Sequence, residues 1–156
     1  MGALSKDLIK TADSLRSQLA KNALITLEEL YEDRGKVFDS QVENMMPCLL
    51  KKASDTNAFI SDQGKRALTA LCLNCSEAKI YNGLNNFVTS KNPSMRSQVA
   101  SAYGHVLTKL GPKVKTFKDS RSLISNLSTY LSDANQTVRE NTRDTFSIML
   151  TKSFNE

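Results

Sequence analysis

The sequence contains no tryptophan, and aromatic residues make up only 6% of it. Proline (3) and glycine (6) are scarce in a chain of 156 residues. Sheet proteins need frequent turn residues, so this poverty argues against a sandwich or a barrel. There is a single histidine, His105, with no companion that would complete a His-dependent triad or a His-rich metal site. The cysteines are three, Cys48, Cys72 and Cys75. An odd number without a signal peptide points to a reducing compartment. No apolar run approaches the ~20 residues of a membrane span. Gly2 superficially offers an acylation site, but Lys6 stands where Ser or Thr is expected. Phosphate-binding and dinucleotide-binding glycine motifs are also missing, which leaves an enzyme reading little to stand on.

What remains is a helix-friendly composition. Hydrophobic residues make up 40%, as in ordinary globular domains, and Ser, Lys, Leu, Asn and Ala are abundant. The formal net charge is +5. A basic excess suits an acidic partner, whether nucleic acid, anionic membrane or acidic protein surface. No aromatic-plus-basic motif accompanies the charge, so nucleic acid ranks low among them.

An internal echo organises the chain. Leu15-Arg16-Ser17-Gln18-Leu19-Ala20 recurs as Met95-Arg96-Ser97-Gln98-Val99-Ala100. The offset is two units of about 40 residues, the period of HEAT-like helix pairs. Intermediate units open at Ala58-Phe59-Ile60-Ser61 and Thr137-Val138-Arg139-Glu140. Each opening follows a polar stretch, around Ser14, Asn57, Asn92 and Asn135, whose side chains are natural N-caps. Before these stretches, Phe38, Val42, Met45, Met46 and Leu49, then Ile80 and Leu84, then Leu123, Leu127 and Tyr130 recur at three- and four-residue spacing. That spacing is a helical face, not strand alternation. Pro47 should bend or break its helix. Only Leu4, Leu8 and Ile9 precede the first polar stretch, so that helix reads as clipped. Gly35 and Gly111-Pro112 read as breaks between units, with glycine in a left-handed cap. The predicted fold is an all-α, HEAT-repeat or armadillo-like solenoid of about four antiparallel helix pairs in one domain over residues 1–156.

Few residues suggest chemistry. Cys72 and Cys75 form a C-x-x-C, but zinc would need Cys48 and His105 as further ligands, and their spacing resembles no finger. The expectation is a packed Cys72 with Cys75 near its helix end. Glu28, Glu29, Glu32 and Asp33 form an acidic cluster read mainly as a solvated face. Met45, Met46, Met95 and Met149 fit core positions better than a binding groove. No catalytic residue, cofactor or metal site is assigned.

Three segments carry a resemblance: Ser14 to Leu27, Asn57 to Leu68 and Ser132 to Arg143. They resemble the TOG domains of the CLASP and crescerin (TOG-array) branch, and the similarity runs over almost the whole chain. The resemblance implies a flat paddle of paired helices, one narrow edge of which contacts the tubulin dimer. The matching edge positions here are Ser14, Asn57, Lys91, Asn92, Asn135 and Gln136, with Lys65 and Arg143 one or two turns along. Tubulin or microtubules are the implied partner, with other cytoskeletal or ciliary proteins next. Cytoplasm, cytoskeleton, and cilium or centrosome are the implied places. Family domains usually hold about six units and an N-terminal aromatic anchor; this chain reads as four units, short at the N-terminus, with no Trp. The alternative function is a HEAT scaffold for another protein without tubulin affinity. Arg16, Arg96 and Arg139 are read as the recurrent arginines that pair with a loop Asp or carbonyl and join neighbouring units.

Overall fold

The computed structural model describes residues 2–153. It contains eight α-helices and no strand among those residues. The helices are α1 (Gly2–Ala12), α2 (Ser17–Arg34), α3 (Val42–Ala53), α4 (Ala58–Asn74), α5 (Glu77–Asn85), α6 (Pro93–Leu110), α7 (Ser120–Tyr130) and α8 (Gln136–Ser153). They pack as the pairs α1–α2, α3–α4, α5–α6 and α7–α8. The even helices lie side by side in one layer, and α1, α3 and α5 line the other. The Tyr81 hydroxyl (α5) donates to Ser122 Oγ (α7) at 2.6 Å, which brings α7 into that second layer. This is the expected HEAT-type solenoid.

The apolar spacing explains the layers. Ala20, Ala23, Leu24, Leu27 and Tyr31 put one stripe of α2 in the core. Ile60, Ala67, Leu68, Leu71 and Cys72 do the same in α4. The ~40-residue period then appears as hydrogen bonding. Gln63 and Arg66 reach back to Glu28, Ser76 N–H to Asp39, Asn126 to Asn85, and Asn141 to Ser97. Each joins adjacent pairs, at separations of 35 to 44 residues, so each pair is fixed by its neighbour.

Several local expectations change. Gly35 is not a left-handed cap: its φ is −45°, and the chain continues through a 3-10 helix, Gly35–Gln41, into α3. The glycine is required by contact, since a Cβ there would lie 2.4 Å from Asn74 Cβ. Phe38 therefore belongs to this 3-10 stretch and not to α3. Gly111 does take a positive φ, +50°, and ends α6 before a second 3-10 turn, Gly111–Lys115. Pro47 sits inside α3, which runs on unbroken to Ala53. Within the described residues α1 has 11 residues, as many as α7. Among the described residues, no helix is long and apolar enough to cross a membrane.

Candidate partner-binding rim

In each pair a short turn carries the chain from the odd helix to the even one. These turns span residues 13–16, 54–57, 86–92 and 131–135. Because the even helices lie side by side, all four turns fall on one edge of the stack.

The four turns close with the same device. An oxygen two residues before the even helix's cap residue accepts that residue's N–H. Ser14 Oγ accepts from Arg16 at 3.2 Å, Asp55 Oδ1 from Asn57 at 2.8 Å, Ser90 Oγ from Asn92 at 3.3 Å, and Asp133 Oδ1 from Asn135 at 2.9 Å. Three of the cap residues then accept in turn: Asn57 Oδ1 from Phe59 N–H, Asn92 Oδ1 from Ser94 N–H and Asn135 Oδ1 from Val138 N–H. The residue between the two acceptor positions is pushed outward. Leu15, Thr56, Lys91 and Ala134 occupy that tip position and are all exposed.

This geometry divides the residues expected on the edge. Ser14, Asn57, Asn92 and Asn135 are there, but their side-chain oxygens hold the backbone. Gln136 donates to Glu140 on its own helix at 2.7 Å. Lys65, Lys91 and Arg143 are exposed and make no ion pair among the described residues. Lys65 and Asn135 meet across a cleft of 230 Å³ together with Asp55, Pro93, Ser94 and Thr137. Ser54, at the same cleft, has a buried Oγ without a hydrogen-bond partner among the described residues. Ser14 and Asn57 line a second hollow with Leu15, Lys51 and Lys52. Lys51 Nζ lies 2.7 Å from Asp13 Oδ1, and this bond holds the Asp13 carboxyl below its ordinary range.

Sequence reasoning missed the apolar part of the rim. Leu15 was expected to open α2, but it precedes that helix and is 103% exposed. Leu19 and Phe59 are also exposed, and Lys21 Nζ stands 3.9 Å above the Phe59 ring. The available signal was Ser14-x-Arg16, matching Asp55-x-Asn57 and Ser90-x-Asn92, which places Leu15 at a tip.

The three recurrent arginines differ. Arg96 donates from Nε and Nη2 to both oxygens of Asp133, at 2.7 and 2.9 Å, and from Nη1 to the Ser90 carbonyl at 2.7 Å. It thus ties its own turn to the next. Its hydrogen bond is the main reason the Asp133 carboxyl is held below its ordinary range. Arg139 Nη1 donates to the carbonyls of Asp133 and Ala134 within its own turn. The Arg16 side chain is exposed and makes no such bond among the described residues. The physical reason is register: Arg16 is the cap residue of α2, whereas Arg96 is the fourth residue of α6.

Residues elsewhere that suggested chemistry are structural. Burial pushes the Cys72 and Cys75 thiols up to about 12, and Cys75 Sγ donates to the Gly35 carbonyl at 3.1 Å. His105 is half-buried, its Nε2 3.2 Å from Thr69 Oγ1, and burial lowers its pKa. Glu28 does not belong to a solvated face: it is mostly buried and bonded to Gln63 and Arg66, while Glu29, Glu32 and Asp33 are exposed.

Known proteins share this arrangement. The N-terminal domain of MAST/Orbit superposes with a TM-score of 0.76 at 18% identity, over 99% of this chain and 68% of that one. Protein STU1 of Cryptococcus neoformans is 29% identical over 155 residues, covering 93% of this chain and 12% of STU1. TOG array regulator of axonemal microtubules protein 1 of mouse is 28% identical over 79 residues, 51% of this chain and 4% of that protein. The chain thus spans only a small part of the full-length relatives it matches. The family model described as CLASP N terminal matches residues 3–154. The chain belongs to the CLASP N-terminal family and is a TOG domain of the CLASP and crescerin branch.

Proposed function

We propose that this domain is a binding module, not an enzyme, and that the rim of four turns docks tubulin. The carrying observation is the repeated turn geometry, which aligns four rigid tips on one edge and turns Leu15 and Lys91 outward. Lys65, Lys91 and Arg143, exposed and without an ion pair among the described residues, supply cations for an acidic surface. Leu15, with Leu19 and Phe59 beside the first two turns, supplies the apolar contact that an absent tryptophan would otherwise make. The relatives' names point the same way, one of them being a regulator of axonemal microtubules. On this reading the protein acts on cytoskeletal microtubules, in the cytoplasm or in a cilium or centrosome, as part of a single domain over residues 1–156.

A few exposed polar contacts and one leucine make a weak interface, on the order of micromolar or worse. Arrays or dimers would raise it through effective concentration. The test is gel filtration with purified tubulin, beside a short duplex and a single strand. Co-elution with tubulin, lost in Lys91→Glu, supports the reading. No shift with tubulin leaves a HEAT scaffold for a different protein, and a shift with nucleic acid alone makes the basic face the active one.

A further inference from the structure

The edge opposite the rim carries the connections between pairs, and one of them is unlike the rest. From Gly111 to Arg121 the chain passes Lys113, Lys115, Lys118 and Arg121 with a single carboxylate, Asp119. Four of the 21 Lys and Arg fall here against one of the 16 Asp and Glu, so this stretch holds three of the five excess positive charges. All four cations are exposed. Lys113, Lys118 and Arg121 make no ion pair among the described residues.

The stretch is also anchored. Val114 is buried, and Phe117 packs edge-on against Tyr81 with ring centroids 6.1 Å apart. Phe117 N–H donates to the Lys113 carbonyl at 3.0 Å, and Ser120 N–H to the Phe117 carbonyl at 3.1 Å. The apolar side chains point in and the cations out, on a backbone held by its own bonds. Such a platform loses little conformational entropy on binding. It sits at the far end of α6 from Asn92. Eighteen residues of helix put it about 27 Å from the rim, so both edges can be occupied at once.

We propose that Lys113, Lys118 and Arg121, with Lys115, form a second interaction surface for an extended, glutamate-rich polypeptide segment. The charge calls for an anionic partner. Nucleic acid fits less well, because the one aromatic ring in the stretch is half-buried and packed against Tyr81. A bilayer fits less well, because Val114 is buried, Phe117 packs on Tyr81, and Pro112 alone is an exposed apolar side chain in the stretch, too little to insert. An extended acidic chain needs neither and can follow the row of cations.

The experiment is fluorescence anisotropy of labelled decaglutamate with the whole protein at low salt, then at physiological salt. Binding should weaken steeply with salt. Charge reversal at Lys113, Lys118 and Arg121 together should weaken it by about tenfold or more, whereas Lys10→Glu, at an exposed position of α1 that belongs to neither surface, should leave it unchanged. Should the triple reversal fail to fold by circular dichroism, Lys113→Gln, Lys118→Gln and Arg121→Gln together take its place. No binding at low salt, or unchanged binding by the folded triple variant, overturns the proposal. So does tighter binding to a short duplex or to phosphatidylserine vesicles that the same three substitutions abolish. None of these outcomes depends on whether the rim binds tubulin.

Discussion

Arg96→Ala tests how the turns are held. The Arg96 and Asp133 side chains are only 17% and 10% exposed, and the arginine makes three charge-assisted bonds. Removing one partner of a fully buried pair costs about 3–5 kcal/mol, and of an exposed pair about 0–1. This pair lies nearer the buried limit, but Asp133 keeps the Asn135 N–H after the substitution. The expected loss is therefore about 2–3 kcal/mol. For a domain of this size that lowers Tm by roughly 5–10 °C. The effect also has a pH signature. Asp133 has a depressed folded pKa, so its stabilisation is complete above the unfolded value near ~3.9 and fades as pH falls through the folded value. The gap in Tm between wild type and Arg96→Ala should be widest near neutral pH and should narrow in acid. Thermal melts by circular dichroism across pH, with Asp133→Asn and the double variant, provide the measurement. An unchanged Tm at neutral pH, or a gap that ignores pH, refutes the reasoning.

Further outcomes are expected elsewhere. Gly64 lies against the end of α3, where a Cβ would come 2.6 Å from the Ala53 nitrogen; Gly64→Ala should cost about 3 kcal/mol, read as a lower denaturation midpoint. Leu15→Asp should leave Tm within a degree or two but weaken tubulin co-sedimentation, because Leu15 is fully exposed at a turn tip; a large loss of stability would contradict that placement. Asn92→Ala removes the Ser94 cap bond and should cost about 1 kcal/mol, visible as a small drop in Tm. Cys72 and Cys75, with thiols pushed up to about 12 and little exposure, should react with a thiol reagent near pH 8 only after unfolding; rapid labelling of either in the native protein would show a more open helix-pair interface.

The sequence alone determined the helices, their pairing and the period, because helical apolar spacing and polar caps are local signals. Asn57, Asn92 and Asn135 could be read as cap residues, and they are. That the polar turns share one edge was implied only by the resemblance to TOG domains, and the side-by-side packing of the even helices supplies the physical reason. What it could not decide depends on contacts between residues some forty positions apart. Gly35 looked like a helix stop, but the close approach of Asn74 sets its place. Glu28 looked solvated, but Gln63 and Arg66 from the next pair bury it. Arg16 and Arg96 share a local motif, yet only Arg96 finds an aspartate, because the register of each helix against its turn differs. Leu15 looked like the start of a helix and stands in solvent before it, because the Ser14 to Arg16 bond ends the turn after it. Helical pattern is written into neighbouring residues, whereas exposure, pairing and close approach are set by which pair of helices packs on which, and that only the stacked structure decides.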